Sequence, residues 1–593
     1  MEIKINNLKV FHGPSIYLSK KAVVLEYELP IKNYNFSEND FNNMKSVLPD
    51  HVANLVITPE LFKQKNIPQL MKILLCNLLN LKGNREFFIE DKINDNQNHT
   101  MVVQFFDEVV IKIAINIMMT IINHSLANGK TNTFQLKQHI SMAVEHLISE
   151  MPGNVIRIMQ EEAIERNIPF YPVGNKPTVY LYGQGSQGII YDHSSNRNDS
   201  VFGYFLSRSK LKTCQFIRTL GFPATIQLPV RTFDDCIRAA DQIGYPVVVK
   251  PNDGERGNGI TTNIQNVQSL KAAYEKSNNY SDGNNIVENF IPGTNYRFTI
   301  SQGKLNSAYV MMAAQVRGDG SSSISALIEV DNVKRSAQKD IGMGVKELIQ
   351  DQKMSEILNY NGYSFDTVPK KGEVVMLGDV TNLASGGSYE RIPHDIIHED
   401  VKEMMFDIVN ALSIDNVGID YISEDISKSW RETGTIIEVN IFISMEKTLA
   451  ANIFNNHFSN EKDARVRTIL VVSNSDQKAK ENYTQEFNKC RNFGFVSLDN
   501  VLFRNSKMLM NEVDLYNRCR GLLLNPNCEG LFVFMTPEQI LRQGLPLDSF
   551  ELAIIDQNCD LSVWKKEYGI CDLNEWLDMF CTKIDNNSID EMN

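Results

Sequence analysis

A lysine followed by a glycine-rich loop is the feature of this sequence with the clearest chemistry. The run Pro246–Gly259, PVVVKPNDGERGNG, predicts a buried strand that delivers Lys250 to a fixed position. Gly254, Gly257 and Gly259 follow, and glycines let backbone N–H groups approach phosphate oxygens without Cβ clashes. A lysine on a rigid strand supplies a positive charge for the same phosphates. A turn between two strands would also use glycines, so this run alone leaves a purely structural role open.

Oxygen ligands suited to a divalent cation lie further along the chain. Ile436–Asn440 (IIEVN) predicts a strand whose Glu438 and Asn440 side chains point to one face. The segment Gly418–Asp420 (GID) adds a second carboxylate, and carboxylate and amide oxygens are ligands that Mg²⁺ accepts. A lone E-x-N pair is a weak motif. It becomes specific because it follows the lysine and the glycine loop in this order.

Three blocks must position these residues. Residues 1–155 alternate β-rich runs, such as Ala22–Glu28, with apolar helical stretches, and Asp91–Thr100 is predicted to be a solvated connection. Residues 156–462 place glycine clusters beside β-branched runs, which is typical of an α/β nucleotide enzyme. Residues 463–593 form a third block of alternating strand-like and helical runs.

The ordered set of motifs resembles the ATP-grasp superfamily. The resemblance implies an α/β fold with an α+β ATP-grasp core that holds ATP and Mg²⁺ between two halves. By this resemblance, the ATP-contacting residues are Lys210, Lys250, Gly254, Gly257, Gly259, Glu288, Asn289, Phe290, Ile291 and Asn295. The metal ligands are Asp420, Glu438 and Asn440, and the catalytic groups are Lys250, Arg297, Ser385, Gly386 and Gly387. Asn295 stands where the superfamily usually has a ribose-binding acid.

Within that superfamily the match narrows to cyanophycin synthetase. The similar segments are HGPSIYLSKK (12–21), MPGNVIRIMQEEAIERNIPF (151–170), GDGSSSISALI (318–328), TVPKKGEVV (367–375), NLASGGS (382–388) and VGIDYI (417–422). The resemblance covers nearly the whole chain, including an α+β N-terminal domain. It implies amide-bond formation, in which ATP phosphorylates a carboxylate and an amine attacks the acyl phosphate. Backbone N–H groups and the hydroxyl in Ser385–Ser388 would cradle that acyl phosphate.

The third block departs from this family. Residues 496–505 and 531–556 resemble a fragment of the Mur-ligase-like domain of cyanophycin synthetase. That domain opens with a glycine-rich phosphate loop, whereas the matching stretch here, VVSNSDQKAK (471–480), has no glycine. The block is therefore expected to be a truncated, degenerate α/β domain without a second ATP site.

The acceptor side of the ATP-grasp region departs as well. Met311, Gly378 and Asp379 stand where the family has basic residues, and IFISMEK (441–447) replaces small residues and Pro-Gly after the metal asparagine. Replacing an arginine by methionine removes a two-pronged partner for a carboxylate. The ATP-binding residues thus match the family, whereas the residues on the acceptor side differ from it. A single ligation is therefore expected instead of polymer synthesis.

Bulk properties exclude several other classes. The chain has 593 residues, 42% of them hydrophobic, and a net charge of −13 that disfavours nucleic-acid or anionic-membrane binding. The N-terminus has no apolar signal segment, and the apolar stretch Val109–Ile122 is expected to be a buried helix. Gly183–Gly188 (GQGSQG) matches a dinucleotide motif, but no helical pattern follows it. The nine cysteines fit no zinc template.

These observations favour a cytoplasmic ligase that acts on amino-acid or peptide substrates as a homo-oligomer, a dimer or a tetramer. Two alternatives stay open from the sequence. The chain could be a non-catalytic relative that binds ATP or a peptide polymer as a partner subunit, which Asn295 and the altered segment 441–447 would permit. A glutathione-synthetase-like ligase would share the ATP-grasp region but would not explain the N-terminal block.

Overall fold

The computed structural model divides the chain into two compact units. The first comprises Met1–Gly153, Ala163–Ile190 and Phe458–Asn593, and the second comprises Asn154–Glu162 and Tyr191–His457. The residues that the structure describes are 2–30, 34, 36–64, 66–83, 85–94, 98–127, 132–174, 178–252, 258–338, 345–378, 381–475, 489–510, 514–556, 559–561, 564 and 572–585.

The N-terminal part of the first unit is an antiparallel sheet covered by helices. The strands are β1 (Lys4–Phe11), β2 (Ala22–Glu28), β3 (Ile89–Ile93) and β4 (Asn98–Gln104). The helices are α1 (Glu38–Ser46), α2 (Asp50–Val56), α3 (Ile67–Leu79), α4 (Glu108–Leu126) and α5 (Thr133–Glu150). The strands pair in the order β1-β2-β4-β3, and α3 and α4 contribute the largest share of the apolar side chains beneath them.

Helix α4 confirms the predicted buried helix. Asp107 caps its first turn by accepting hydrogen bonds from the backbone N–H groups of Val109 and Val110. Among the described residues it is the one helix that is long and apolar enough to cross a membrane by length and composition, and 67% of its apolar window is buried inside the protein.

A short connecting region follows. It contains α6 (Asn154–Glu165), β5 (Phe170–Pro172), β6 (Val179–Tyr182), β7 (Ile189–Asp192) and β8 (Ser195–Asn196). The four strands form one sheet in chain order. The glycine pattern at Gly183–Gly188 leads into a single 3₁₀ turn and then β7, so the helix that a dinucleotide site needs is absent at this described position.

The second unit contains two antiparallel sheets that carry the candidate site. The first sheet, in the order β11-β10-β12-β9, comprises β9 (Gln227–Val230), β10 (Val247–Pro251), β11 (Thr261–Ile264) and β12 (Asn285–Asn289). The second, in the order β17-β14-β13-β18-β19, comprises β13 (Thr294–Ser301), β14 (Lys304–Met312), β17 (Ser388–Arg391), β18 (Asn416–Ser423) and β19 (Thr435–Asn440).

Helices and a small hairpin complete this unit. The helices are α7 (Val201–Ser207), α8 (Lys210–Thr219), α9 (Phe233–Ile243), α10 (Val267–Asn278), α11 (Ile324–Gln338), α12 (Gln352–Tyr360), α13 (Glu399–Leu412) and α14 (Lys447–His457). The hairpin pairs β15 (Gln315–Arg317) with β16 (Val374–Met376), and α11 and α12 pack on it. Helices α9 and α10 pack on the four-stranded sheet, and α8 packs against β19.

The third block of the chain folds as a mostly parallel sheet within the first unit. Its strands are β20 (Arg467–Val472), β21 (Phe493–Val496), β22 (Val501–Phe503), β23 (Ser506–Lys507), β24 (Gly530–Met535), β25 (Phe550–Ile555) and β26 (Cys581–Asp585). Its helices are α15 (Leu515–Leu523), α16 (Pro537–Gln543) and α17 (Leu573–Leu577). The strand order is β23-β22-β21-β24-β20-β25-β26, with β20 paired in parallel to both β24 and β25.

The structure confirms the α/β class and corrects one local prediction. Asp91–Thr100 is not wholly a solvated connection, because strands β3 and β4 extend into it. The Asp91 carboxylate accepts a hydrogen bond from the Tyr27 hydroxyl at 2.7 Å and lies 2.9 Å from Nδ1 of the buried His99. These partners allow polar residues to be buried there. The three-block division at residues 155 and 462 stays a prediction.

Gly13 joins the N-terminal and C-terminal parts of the first unit at close range. The backbone N–H of Leu545 donates to the Pro14 carbonyl at 2.7 Å. A Cβ added at Gly13 would overlap the Leu545 carbonyl and lie 2.8 Å from that of Leu547.

We expect Gly13→Ala to lower the thermal unfolding midpoint by several degrees, because a backbone carbonyl cannot yield as a flexible side chain does. Overpacking of this kind costs about 1–3 kcal/mol. The matched control is Gly153→Ala, whose added Cβ meets nothing within 4 Å. Equal midpoints for the two variants, measured by differential scanning calorimetry, would contradict this contact.

Candidate active site

A row of charged side chains crosses the five-stranded sheet of the second unit. Arg297 on β13 lies directly opposite Asp420 on β18, and Asp420 lies opposite Glu438 on β19. Directly opposed residues in antiparallel strands project to the same face, so the three side chains meet. The Arg297 guanidinium donates from Nη1 to Asp420 Oδ2 at 2.7 Å. Asn440 donates from Nδ2 to the same oxygen at 3.3 Å, so the predicted metal ligands are brought together.

Gly418 gives the Arg297 side chain its place. A Cβ at Gly418 would lie 2.7 Å from the guanidinium carbon and two of its nitrogens, so the guanidinium lies directly over this glycine. Burial works against the charge of Arg297, but the carboxylates of Asp420 and Glu438 outweigh it and raise the pKa of Arg297 above its ordinary value. The segment GID therefore supplies both a carboxylate and the space for its arginine partner.

Lys210 reaches this row from helix α8. Ser209 caps the helix by accepting from the Lys212 backbone N–H, which fixes Lys210 as its first residue. Its ammonium lies 3.3 Å from Glu438 Oε1. The structure thus brings one predicted phosphate lysine to a predicted metal ligand.

Lys250 lies in a buried ion pair that the sequence did not reveal. Its ammonium is 2.7 Å from Glu288 Oε1, and both side chains are less than 10% exposed. Gln227 donates to the other Glu288 oxygen at 2.8 Å. Burial works against the charge of Lys250, but Glu288, and to a lesser degree Glu438, raise the pKa of Lys250 above its ordinary value. Lys250 is therefore held as a cation within electrostatic reach of the Glu438 side chain.

The predicted adenine segment is tied down by its own polar groups. Register pairing places Lys250 on β10 opposite Ile286 on β12, two residues before Glu288. The Ile226 backbone N–H donates a hydrogen bond to Asn289 Oδ1 at 2.7 Å. In return, the Asn289 backbone N–H donates to the Ile226 carbonyl at 3.3 Å. The Phe290 N–H donates to the Pro246 carbonyl at 3.1 Å. Glu288 thus forms an ion pair with Lys250, while the hydrogen bonds of Asn289 and Phe290 fix the position of the segment that ends at Ile291.

Asn295 fits a role beside a sugar hydroxyl. Its Nδ2 donates to the Thr381 hydroxyl at 2.8 Å, while its Oδ1 is buried with no hydrogen-bond partner among the described residues. An unpaired buried acceptor is costly unless a donor reaches it. A ribose hydroxyl is such a donor, so an amide at this position is compatible with a nucleotide.

The predicted acyl-phosphate loop is held by helix α11. Gly386 has a φ of +86°, in the left-handed region that favours glycine. The Gly387 N–H donates to the Asn382 carbonyl at 2.9 Å, and a Cβ there would lie 2.8 Å from the Met312 carbonyl. The buried Arg335 donates from Nη1 to the Gly387 carbonyl at 3.1 Å and to the Lys346 carbonyl at 3.0 Å. Arg335 carried no signal in the sequence, because it lies in a helix 52 residues from its partner.

Some predicted residues can be placed only in part. Ser385 ends a short 3₁₀ turn and donates its N–H to the Asn382 carbonyl at 3.0 Å. Gly259 has a φ of +74° and packs near Pro251. Gly254, Gly257 and Asp379 lie outside the described residues. The assignment of all predicted site residues to ATP, metal and acyl phosphate stays a prediction.

The donor set suits Mg²⁺ better than a transition metal. Among the described residues no group of three or more His, Cys, Asp or Glu side chains could hold a metal ion. Asp420, Glu438 and Asn440 offer two carboxylates and one amide, which are oxygen ligands. Because Asn440 directs Nδ2 at Asp420, its Oδ1 is the atom left for a cation. Mg²⁺ commonly binds through one or two carboxylates together with substrate phosphates.

Comparison with known proteins agrees with these features. Residues 212–297 match the model described as carbamoyl-phosphate synthase L chain, ATP binding domain. The cyanophycin synthetase of Synechocystis sp. is 24% identical over 80% of this chain and 55% of that protein. That of Geminocystis herdmanii is 25% identical over the same shares. The bifunctional glutathione biosynthesis protein of Streptococcus mutans is 29% identical over 40% of this chain and 32% of that protein.

Among solved structures, a bifunctional glutathione synthetase from Pasteurella multocida is similar with a TM-score of 0.41 and 18% identity, covering 59% of this chain and 52% of that one. The chain spans about half the length of the curated relatives it matches. The sequence and its matches define an ATP-grasp protein. Within that class the chain is cyanophycin synthetase-like, as the sequence predicted.

We expect Arg335→Lys to loosen the loop around Gly387, because an ammonium cannot reach both backbone carbonyls and Asp331 as the guanidinium does. Hydrogen exchange measured by mass spectrometry should become at least tenfold faster in peptides that cover residues 382–388. Arg317→Lys is the matched control, because Arg317 is exposed and contacts one carbonyl, that of Gly372, at 3.3 Å. Unchanged hydrogen exchange in Arg335→Lys would show that the loop around Gly387 is ordered without the Arg335 hydrogen bonds.

Proposed function

We propose that the chain is an ATP-dependent ligase that joins a carboxylate to an amine and releases ADP and phosphate. The observation that carries the proposal is the meeting of Lys210, Arg297, Asp420, Glu438 and Asn440 on one sheet face, with Lys250 in electrostatic reach. Alternating cations and carboxylates suit a polyphosphate with its counter-cation. The similarity to cyanophycin synthetases and glutathione biosynthesis proteins supports the same class of reaction.

The residues divide into those that hold the phosphates and those that receive the acyl group. Lys210 and Lys250 would bind phosphate oxygens, exchanging their present carboxylate partners for them. Asp420, Glu438 and Asn440 would hold Mg²⁺, which supplies neutralisation of the transferring charge. Arg297 would bind the transferred phosphoryl group. The loop Ser385–Gly387 would stabilise the acyl phosphate until an amine attacks it, and its N–H groups would exchange the Asn382 and Leu383 carbonyls, which they contact now, for phosphate oxygens. Such catalysis rests on positioning and electrostatics, so it requires no covalent enzyme nucleophile.

The finer parts of the proposal concern substrate and setting. A single ligation on an amino acid, peptide or related metabolite follows from the altered acceptor side. A cytoplasmic, homo-oligomeric enzyme without nucleic-acid or membrane partners is the accompanying expectation. A non-catalytic partner subunit would bind ATP without hydrolysing it. An ADP-release screen with pairs of acids and amines, followed by mass spectrometry of the product, separates the two functions.

We expect Glu438→Ala to reduce ADP formation about 10²–10³-fold, because a metal ligand of this kind contributes about 3–4 kcal/mol to the transition state. Lys250→Ala should do the same, but it also leaves Glu288 buried without its countercharge, which destabilises the fold. The double variant Lys250→Ala with Glu288→Gln removes the uncompensated charge. It should recover the unfolding midpoint without recovering ADP formation. Glu275→Ala and Lys271→Ala, on the exposed side of α10, serve as controls. Full turnover in Glu438→Ala would refute the assignment of that residue.

We expect one nucleotide site per chain. The parallel sheet of the third block places the end of β20, at Val472, between β24 and β25, where such sheets bind nucleotides. The sequence that follows, VVSNSDQKAK, has no glycine to admit phosphate. Calorimetric titration of the full chain with Mg²⁺ and a non-hydrolysable ATP analogue should give a stoichiometry of one. Glu438→Ala should remove that binding, whereas a second equivalent that persists in this variant would reveal a site in the third block.

A further inference from the structure

An aromatic side chain follows the candidate metal ligands on their face of the chain. Glu438 and Asn440 on β19 are partly exposed, whereas Val439 between them is buried. The alternation continues past the end of the strand, because Ile441 is buried and Phe442 is 44% exposed. Phe442 is therefore the next side chain beyond Asn440 on the side of the metal ligands.

A buried serine fixes the backbone on both sides of Phe442. Ser194 Oγ donates to the Ile441 carbonyl at 3.1 Å and accepts from the Ile443 N–H at 3.0 Å. The Ser194 carbonyl accepts in turn from Nδ2 of Asn416 at 2.9 Å, and Asn416 lies on β18, the strand that pairs with β19. Because Ser194 is fully buried, water does not compete for these hydrogen bonds. Phe442 is thus presented from a fixed backbone.

Two aromatic side chains pack against Phe442. The ring centroid of His193 lies 5.5 Å from that of Phe442 with the planes at 58°, and the Tyr204 ring lies at 6.2 Å and 78°. Both distances fall in the favourable range for aromatic pairs. The exposed Arg208 donates from Nη1 to the Tyr204 hydroxyl at 3.2 Å, which helps to hold that ring. The protein thus supports Phe442 on two sides and leaves part of it accessible.

A docking surface for another protein is the simpler explanation for an exposed aromatic side chain. Helix α7 exposes three apolar side chains, Val201, Phe202 and Phe205. The Phe202 ring, however, packs against Phe216 on α8, with centroids 5.8 Å apart. Phe442 contacts the same helix through Tyr204 instead. The exposed residues of α7 and Phe442 therefore have different neighbours, and a substitution in one set can be compared with a substitution in the other.

The strand register argues against a nucleotide base as the partner of Phe442. Asn295, the residue predicted beside the ribose, pairs with Ile422 on β18, whereas Asn440 pairs with Gly418 four residues earlier on that strand. The row of charged side chains lies between these two positions. Phe442 follows Asn440 and therefore lies on the other side of that row from the ribose position. The group that reaches Phe442 would belong to a substrate other than the nucleotide.

We infer, on the basis of the ligase function above, that Phe442, supported by Tyr204 and His193, is a specificity-determining wall of the substrate pocket. The substrate side chain that it contacts is apolar, either aromatic or branched aliphatic, because Phe442 offers contact area and no charge. Met311 agrees with this class, since methionine supplies no charge for an ionic side chain. The substrate class is a hydrophobic amino acid or a peptide that ends in one.

The test compares substrates that differ only in the size of an apolar side chain. L-phenylalanine, L-leucine and L-alanine are titrated calorimetrically into the full chain with Mg²⁺ and a non-hydrolysable ATP analogue, and glycyl-L-phenylalanine is compared with glycyl-L-alanine in the same way. At least one larger member should bind about tenfold or more tightly than its alanine counterpart, because burial of a large apolar side chain favours binding to that extent. Phe442→Ala should abolish that ratio, and Phe442→Leu should retain part of it. Phe202→Ala, which changes a phenylalanine that is 56% exposed in the same unit, should preserve it.

Several outcomes would overturn the role of Phe442. They are equal binding of larger and smaller members, no binding by any member, a ratio that survives Phe442→Ala, and a ratio that Phe202→Ala removes as well. Self-association of the chain that Phe442→Ala weakens, measured by sedimentation velocity, would point to a docking surface and overturn it too. Thermal unfolding midpoints confirm that each variant is folded. Selective binding without ADP formation from any pair of substrates would instead refute the ligase function and leave the pocket standing, and ADP formation with the alanine members alone would do the reverse.

Discussion

The cross-strand register of β13, β18 and β19 is the constraint on which the candidate site depends. It sets Arg297, Asp420 and Glu438 side by side, although they lie on strands separated by long connections. A slip of one residue in either pairing would turn one of these side chains to the opposite face of the sheet. Apolar residues on the other face, such as Phe298 and Ile419, are buried in the core and hold that register. The same strand register is thus required both to bury the apolar side chains and to bring the charged side chains together.

Buried charge is handled in the same way throughout the site. Lys250 with Glu288, Lys210 with Glu438 and Arg297 with Asp420 each pair a group of one sign with its opposite. Removing one partner of a buried pair leaves an uncompensated charge that costs about 3–5 kcal/mol. In the proposed function, a polyphosphate and its counter-cation would replace these partners with others of the same sign. The protein can therefore keep the site folded and charged before its substrates arrive.

Patterns along the chain predicted what depends on neighbouring residues. The strand before Lys250, the apolar helix α4 and the alternation of Glu438 and Asn440 are all local signals, and the structure has each of these elements. No local pattern indicated that Glu288 would pair with Lys250, that Arg335 would contact Gly387, or that Glu446 would lie beside Tyr309. Each of those contacts joins separate elements, and the last spans 137 residues. The strands within Asp91–Thr100 were missed because burial of Asp91 and His99 depends on Tyr27, far away in sequence.

The contact between Gly13 and the Leu545 region has a consequence for how the chain assembles. It joins segments about 530 residues apart, and the loop-closure entropy for such a span grows only logarithmically with its length. The loop-closure entropy therefore costs little stability at equilibrium. The order in which the two segments are synthesised, however, determines when the contact can form. The ribosome must synthesise Leu545 before Pro14 can meet its partner, and by then Tyr191–His457 has already emerged as one uninterrupted stretch. The stretch Tyr191–His457 can thus fold first, whereas Pro14 reaches its final neighbour only after Leu545 has been made.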